Sequence, residues 1–300
     1  MARDEPSAGL RLRRRIARWL GIGPAHLAPG ETRPPGQVPS QRDTYCYLGD
    51  HRAVTVTHRG HRIFLDTRDL GLTPHIALSG VWEREVEEVL LRLLRPGQSV
   101  AEVGSNMGYH SLAMAQAIGP HGRLHAFEAN PDVLPLLRAT IAVNGYDDRI
   151  TLHPVAALDR AGEIEFASDP AHIGSGHWAI EGGAANYSRR AVVRAVTLDQ
   201  ALADVAALDL LRMDAEGSEP QVLRGAEALL RRSPGLRIVT EWSPPMMAAR
   251  TGLPEFAAWL AGFGFAAWRI SRGGRLEQLA MADLPGLPHG EMVLARQPPG

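Results

Sequence analysis

The stretch "AEVGSNMGYHS", residues 101–111, decides how the chain is read. A short apolar run ends in the acid Glu102, and a small polar turn bounded by Gly104 and Gly108 follows before helical sequence resumes. That is a strand feeding a loop of nucleotide size and then a helix. Glycine lets a backbone approach a ligand with no side chain between them, and the free N–H groups of the helix start point at the same ligand. A dinucleotide site asks for G-x-G-x-x-G, with the pyrophosphate against the helix start. Here the loop reads G-S-N-M-G and lacks the middle glycine. Glu102 would repel a pyrophosphate but suits the cationic amino end of a methionine moiety, so S-adenosylmethionine is favoured over NAD. About 20 residues further on, "LHAFEANP" carries Glu128, where an acid binds ribose hydroxyls; NAD enzymes share that acid.

Around this loop, strands alternate with helices, which predicts a doubly wound, mainly parallel α/β sheet. Strand-like runs are "SVAEVG", "RLHAFEA", "ITLHPVA", "GEIEFAS", "RRAVVRAV", "LDLLRMDAEG" and "LRIVTEWS". Helical runs cover residues 109–118 and 132–144, "VTLDQALADV", "EPQVLRGAEALLRR" and "LPEFAAWLAGFGF". "AAWRISR" and "EMVLARQ" close the chain with no helix between them, which predicts a hairpin at one sheet edge. Upstream, "AVTVT" and "RIFLD" flank Arg59-Gly60-His61 and predict another hairpin. "GVWEREVEEVLLRLLRPGQ" predicts a helix through Val86, Val89, Leu90 and Leu93, stopped by Pro96 and Gly97.

Residues 1–40 read as a separate basic helix and Pro/Gly-rich linker, followed by a lead-in portion over 41–95 and the main domain over 96–300. Leu12, Ile16, Trp19 and Leu20 lie at helical spacing among Arg11, Arg14, Arg15 and Arg18. Such a helix suits weak contact with an anionic membrane surface; packing on its own domain is the plainer reading. The formal net charge is −1, so no nucleic-acid partner is implied. Cys46, the only cysteine, leaves no internal disulfide and no cysteine-based zinc site. No apolar run approaches the ~20 residues of a membrane span, and no apolar region follows the basic N-terminal residues as in a secretory signal. A cytoplasmic protein is expected.

Four motifs, in order and spacing, carry a family resemblance: "SVAEVGSNMGYHSLAMA", "LHAFEANPDVLPLLRATIAVNG", "TLDQAL" and "LLRMDAEGSEPQVLRGAEALL". Over roughly residues 80–245 the chain resembles the FkbM family of S-adenosylmethionine-dependent methyltransferases, and "HIALSGVWEREV" looks like that family's lead-in helix. The resemblance implies the class I methyltransferase fold, a Rossmann-like sheet of about seven strands with the last antiparallel, here with an N-terminal extension. The family usually carries aspartate at the position of Glu102; the longer acid still reaches the amino group. The resemblance implies that Glu102, Gly104, Ser105, Asn106 and Gly108 line the methionine and ribose portion and that Glu128 takes the ribose. It implies that Ala129, Asn130 and Ala156 border the adenine. Asn144 matches a family asparagine, and a helix C-cap is its preferred role.

The acceptor chemistry is expected at the carboxyl end of the fourth strand of the main domain. "RMDAEGSE" sets Asp214, Glu216 and Glu219 there, and Asp214 and Glu216 share one strand face. Methyl transfer needs alignment and, for a hydroxyl acceptor, removal of a proton. Asp214 is the expected base and also a cofactor contact. Glu216 would orient the acceptor or share the proton, Glu241, ending the fifth strand, would join the catalytic residues on the same rim, and His177, on a glycine-rich stretch, is the alternative base. Hard oxygen ligands at Asp214, Glu216 and Glu241 would suit a divalent cation, but the spacing does not demand one, and no metal is expected. The expected function is O-methylation of a small-molecule or glycan hydroxyl. The alternatives are an NAD-type oxidoreductase and a non-catalytic nucleotide-binding module.

Overall fold

The computed structural model describes residues 45–178 and 187–299, all within one compact unit, Gln41–Gly300. The expected N-terminal helix and linker lie outside the described residues. In chain order the elements begin β1 (Cys46–Gly49), β2 (Arg52–Val56), β3 (Arg62–Asp66), α1 (Leu72–Ser79) and α2 (Arg84–Leu93). The α/β run follows: β4 (Ser99–Val103), α3 (Tyr109–Ile118), β5 (Arg123–Phe127), α4 (Leu134–Val143), β6 (Ile150–His153) and β7 (Ala156–Ala157). Next come β8 (Gly162–Asp169), β9 (His172–Trp178), β10 (Arg189–Val196) and α5 (Leu198–Ala201). The chain returns through β11 (Leu210–Met213), α6 (Glu219–Arg224), α7 (Glu227–Arg232), β12 (Arg237–Trp242), α8 (Pro244–Ala248) and α9 (Leu253–Gly262). It closes with β13 (Ala266–Ser271), β14 (Arg275–Leu279) and β15 (Gly290–Ala295).

The main sheet has the order β14-β13-β15-β12-β11-β4-β5-β6. β12, β11, β4, β5 and β6 run parallel, and β15 enters antiparallel between β12 and β13. The chain leaves β4 outward to β5 and β6, then returns to β11 on its other side. That reversal is the crevice where ligands bind in open α/β sheets. Neighbouring residues along β4 serve opposite layers. Val100 packs with Met114, Ile118 and the apolar stripe of α2, while Ala101 and Val103 pack with Val222, Leu229 and Phe256. Helices on both faces bury the central strands and explain their apolar runs.

Several expectations change. The sheet has eight strands, and the edge hairpin is β13–β14 rather than β13–β15. β14, "RLEQL", is charged as an edge strand should be, which hides it in a search for apolar alternation. Pro154 parts "ITLHPVA" into β6 and β7. The single helix expected over "EPQVLRGAEALLRR" is broken at Gly225, where a Cβ would stand 2.0 Å from the Leu158 carbonyl oxygen. "VTLDQALADV" keeps only the four-residue α5, closed at its start by a Thr197–Gln200 capping box. The expected lead-in helix is two, parted by Gly80 at φ 70° and Glu83 at φ 42°. β9 lies in the glycine-rich stretch between "GEIEFAS" and "RRAVVRAV", where the sequence predicts no strand, and joins a second sheet, β7-β10-β8-β9.

The hairpin β2–β3 forms as expected, with β1 added outside it. Ile63 and Leu65 of β3 share a core cluster with Tyr109 and Leu112 of α3 and Leu136 of α4. Asn144, at the C-cap of α4, donates from Nδ2 to the Arg62 carbonyl (2.7 Å) and accepts the Arg62 N–H (2.9 Å). Its cap role therefore also anchors the lead-in hairpin to the main sheet.

Candidate active site

The loop between β4 and α3 is built by backbone constraint. Gly104 adopts φ 80°, and a Cβ there would stand 1.9 Å from the Asp214 carbonyl oxygen of the β11 loop. Only glycine lets the two loops touch. Asn106 holds a left-handed φ of 48°, a conformation tolerated by asparagine. The Gly104 and Ser105 N–H groups both donate to the Phe127 carbonyl (3.0 and 3.1 Å). Glu128 completes the frame, accepting the Asn106 and Asn130 N–H groups, each at 2.7 Å. Burial pushes its carboxyl up, and these backbone donors pull it back.

Two cavities open from this frame. The first encloses about 670 Å³ beside Glu128, with walls from Phe127, Ala156, Ile164, Phe166 and Trp178, and Ala129 and Asn130 on its rim. Its walls are apolar, with Glu128, His177, Asp214, Ser218 and the amides of Asn106 and Asn130 as its polar groups, and the Asn130 Nδ2 is buried there with no hydrogen-bond partner. The second encloses about 1070 Å³ and is lined by Glu83, Glu102, Ser105, Asp214, Glu216 and Glu241, with Arg212 and His110 among them. Gly104, Asn106, Gly174 and Asp214 line both and mark their junction.

Arg212 organises the second cavity from within β11. Its Nη1 donates to the Gly104 carbonyl (3.0 Å) and lies 3.7 Å from Glu102; its Nη2 donates to Asp214 (3.0 Å) and lies 3.6 Å from Glu83. The cation is buried, and its acidic neighbours hold it protonated against that burial. Glu102 accepts from the Ser111 hydroxyl, and burial raises it while Arg212 opposes. Asp214 is raised by burial, with Arg212 again pulling back. Glu216 has a left-handed φ of 50°; burial, then Asp214 and Glu219, push it to about 8. Burial and the same group of acids push Glu241 to about 10. At neutral pH both carboxyls are protonated donors, which removes the expected share of Glu216 in taking the proton.

The structure brings Glu102, Ser105, Asp214, Glu216 and Glu241 to one cavity. His177 lines only the first, its Nδ1 3.0 Å from the Ser175 carbonyl, and burial lowers it. Gly108 lines neither: it starts α3 at φ 94°, and a Cβ there would press on Leu137 at 2.8 Å. Glu219 turns inward, accepting the Ala215 N–H at 2.8 Å. Arg212, Glu83 and His110 escaped the sequence reading. Charged residues two apart, Arg212 and Asp214, were the available signal for Arg212; nothing local marks Glu83 or His110, which meet only in the fold.

A family model described as the methyltransferase FkbM domain matches residues 102–266. The chain belongs to the FkbM methyltransferase family. S-adenosylmethionine is its cofactor, and the first cavity fits it: an apolar slot for adenine, the Glu128 carboxylate for ribose and the unpartnered Asn130 amide. Beyond the junction, Glu102 and Ser105 line the acidic cavity, a carboxylate and a hydroxyl suited to the cationic amino end of the methionine portion. Among curated relatives, this FkbM chain is 36% identical over 55 residues to a protein-L-isoaspartate O-methyltransferase of Ignicoccus hospitalis, covering 18% of this chain and 26% of that protein. It is 36% identical over 120 residues to one of Aeropyrum pernix, covering 39% and 44%. The chain thus spans less than half the length of these relatives. Among solved structures, the O-methyltransferase TomG of Streptomyces achromogenes, in complex with S-adenosylmethionine, is 18% identical, covering 71% of this chain and 79% of TomG at a TM-score of 0.42. No helix among the described residues is long and apolar enough to cross a membrane.

Proposed function

We propose that the protein transfers a methyl group from S-adenosylmethionine to a hydroxyl of a small-molecule acceptor such as a sugar, a glycan unit or a natural product. The observation that carries this reading is the junction. A cavity suited to a nucleoside and a cavity lined by acids share Gly104, Asn106, Gly174 and Asp214, so the methyl would pass between them beside Asp214. When bound, the cofactor supplies an already activated methyl, and the protein's task is alignment. Glu128 fixes the nucleoside end. Glu216 and Glu241, protonated at neutral pH, donate hydrogen bonds to acceptor oxygens, while Asp214 accepts one from a neighbouring hydroxyl of the acceptor and orients it. An isoaspartyl acceptor, as named for the curated relatives, would bring a further carboxylate beside Glu102 and Asp214, which already share the single cation Arg212, so these two argue for a neutral acceptor. The oxidoreductase alternative is disfavoured because Glu102 stands where a pyrophosphate would need cationic or amide partners.

Calorimetry with S-adenosylhomocysteine and NADH side by side tests the cofactor half. S-adenosylhomocysteine should bind and NADH should not; the reverse overturns the reading. Release of S-adenosylhomocysteine with a panel of methyl glycosides and other polyols tests the acceptor half, and turnover confined to carboxylate acceptors would contradict it.

A further inference from the structure

The hydroxyl's proton must leave as the methyl arrives, and the acids of the second cavity are poorly placed to receive it. Glu216 and Glu241 already carry protons at neutral pH, and Asp214 is tied to Arg212. His110 is different. It stands in the first turn of α3, is 4% exposed, and lines the same cavity. Its Nε2 lies 3.1 Å from the Glu83 carboxylate, and its Nδ1 is buried with no partner. Glu83 starts α2 from a strained φ of 42°, and such strain persists where the surroundings enforce it. Burial opposes ionisation of Glu83, but His110 and Arg212 hold it below its ordinary value. A charged carboxylate can only accept, so Nε2 carries the imidazole proton and Nδ1 is left bare as an acceptor.

We propose that His110, oriented by Glu83, is the base that receives the acceptor's proton. The inference rests on the methyl-transfer reading above. In the step, the hydroxyl oxygen forms a bond to the methyl carbon as the methyl–sulfur bond breaks and leaves its electron pair on sulfur. The proton passes from the hydroxyl to Nδ1. The products are a methyl ether, a neutral thioether and an imidazolium facing Glu83, which later loses its proton to solvent.

The test has two arms. In ¹⁵N-histidine NMR of the full chain saturated with S-adenosylhomocysteine, with the His110 signal assigned through H110Q, Nε2 should carry the proton in the neutral ring. E83Q should abolish that preference. A proton on Nδ1 in the wild type overturns the proposal whatever the acceptor proves to be. In turnover with methyl glycosides, H110Q should lose ~10²–10⁴-fold in kcat, the usual contribution of a positioned base. Its affinity for S-adenosylhomocysteine should stay within a few-fold. E83Q should lose less, and E83D, which keeps the carboxylate that orients the imidazole, should restore part of the loss. H110Q turning over at near wild-type rate overturns the proposal. If H110Q loses cofactor binding, the NMR arm decides, with the signal assigned by difference through E83Q. If the wild type binds S-adenosylhomocysteine but methylates no hydroxyl, the methyl-transfer reading fails while the tautomer still reports on the Glu83–His110 pair.

Discussion

The two cavities that meet at Asp214 are built by different means. The one beside Glu128 is shaped by backbone: glycine at φ 80°, two N–H groups on one carbonyl, and two more on one carboxylate. Its carboxylate is fixed before any ligand arrives. The acid-lined cavity is shaped by side chains whose charges oppose one another, with Arg212 the central cation and two carboxyls displaced to about 8 and 10. Rigid backbone suits a constant cofactor, whereas a set of titratable donors and acceptors suits proton handling. Substitutions on the two sides should therefore fail differently.

The largest effect is expected at Gly104. In Gly104→Ala a Cβ meets the Asp214 carbonyl, which is backbone and has no rotamer to escape into. Together with the left-handed φ this should cost about 2–6 kcal/mol of stability. Thermal melting and calorimetry would detect it, and a normal melting temperature would mean that the two loops are not in contact. Glu128→Ala should come next, removing a charged partner worth about 1.5–3 kcal/mol, or roughly 10–100-fold in S-adenosylhomocysteine affinity. Unchanged affinity would remove Glu128 from the cofactor site.

The acid side should reveal itself through pH. Glu216 and Glu241 ionise in the unfolded chain near 4.5 but in the folded protein only at about 8 and 10. Over that interval the folded state holds protons that the unfolded state has released, so stability falls as pH rises, by about 1.4 kcal/mol per pH unit for each proton. Glu241→Gln should match the wild type near pH 4, where both side chains are neutral, and melt higher than the wild type near pH 9. Parallel melting curves across that range would contradict the raised carboxyls. The smallest effect is expected at His177→Ala, on the nucleoside wall: a few-fold change in affinity and an unaltered pH profile. A large loss of turnover with cofactor binding kept would move proton transfer to His177.

What the sequence disclosed follows the same division. The β4 loop, Glu128 and the acids of "RMDAEGSE" were legible because strand, turn and acid are local patterns with fixed spacings. The eighth strand β14 was not, since an exposed edge strand has no apolar alternation to read. β9 was hidden because "HIGSGHW" contains few residues of strand preference and gains its partners from β8, across a turn. The breaks at Pro154 and Gly225 were visible as residue types, but the reason for Gly225 is a carbonyl contributed by Leu158, 67 positions earlier. Arg212, Glu83 and His110 come from three separate elements, and their proximity is a product of the switch in strand order. His177 was placed on the acceptor side by composition alone, and the register of β9 sets it against the nucleoside wall.

The division between the cavities is tested most directly by a crystal structure of the full chain with S-adenosylhomocysteine. The account predicts ribose hydroxyls on the Glu128 carboxylate, adenine between Ala156 and the wall that carries Trp178, and the sulfur at the junction facing Asp214, with Glu216 and Glu241 left free for the acceptor. Adenosine seated among Glu83, Glu216 and Glu241 would contradict it.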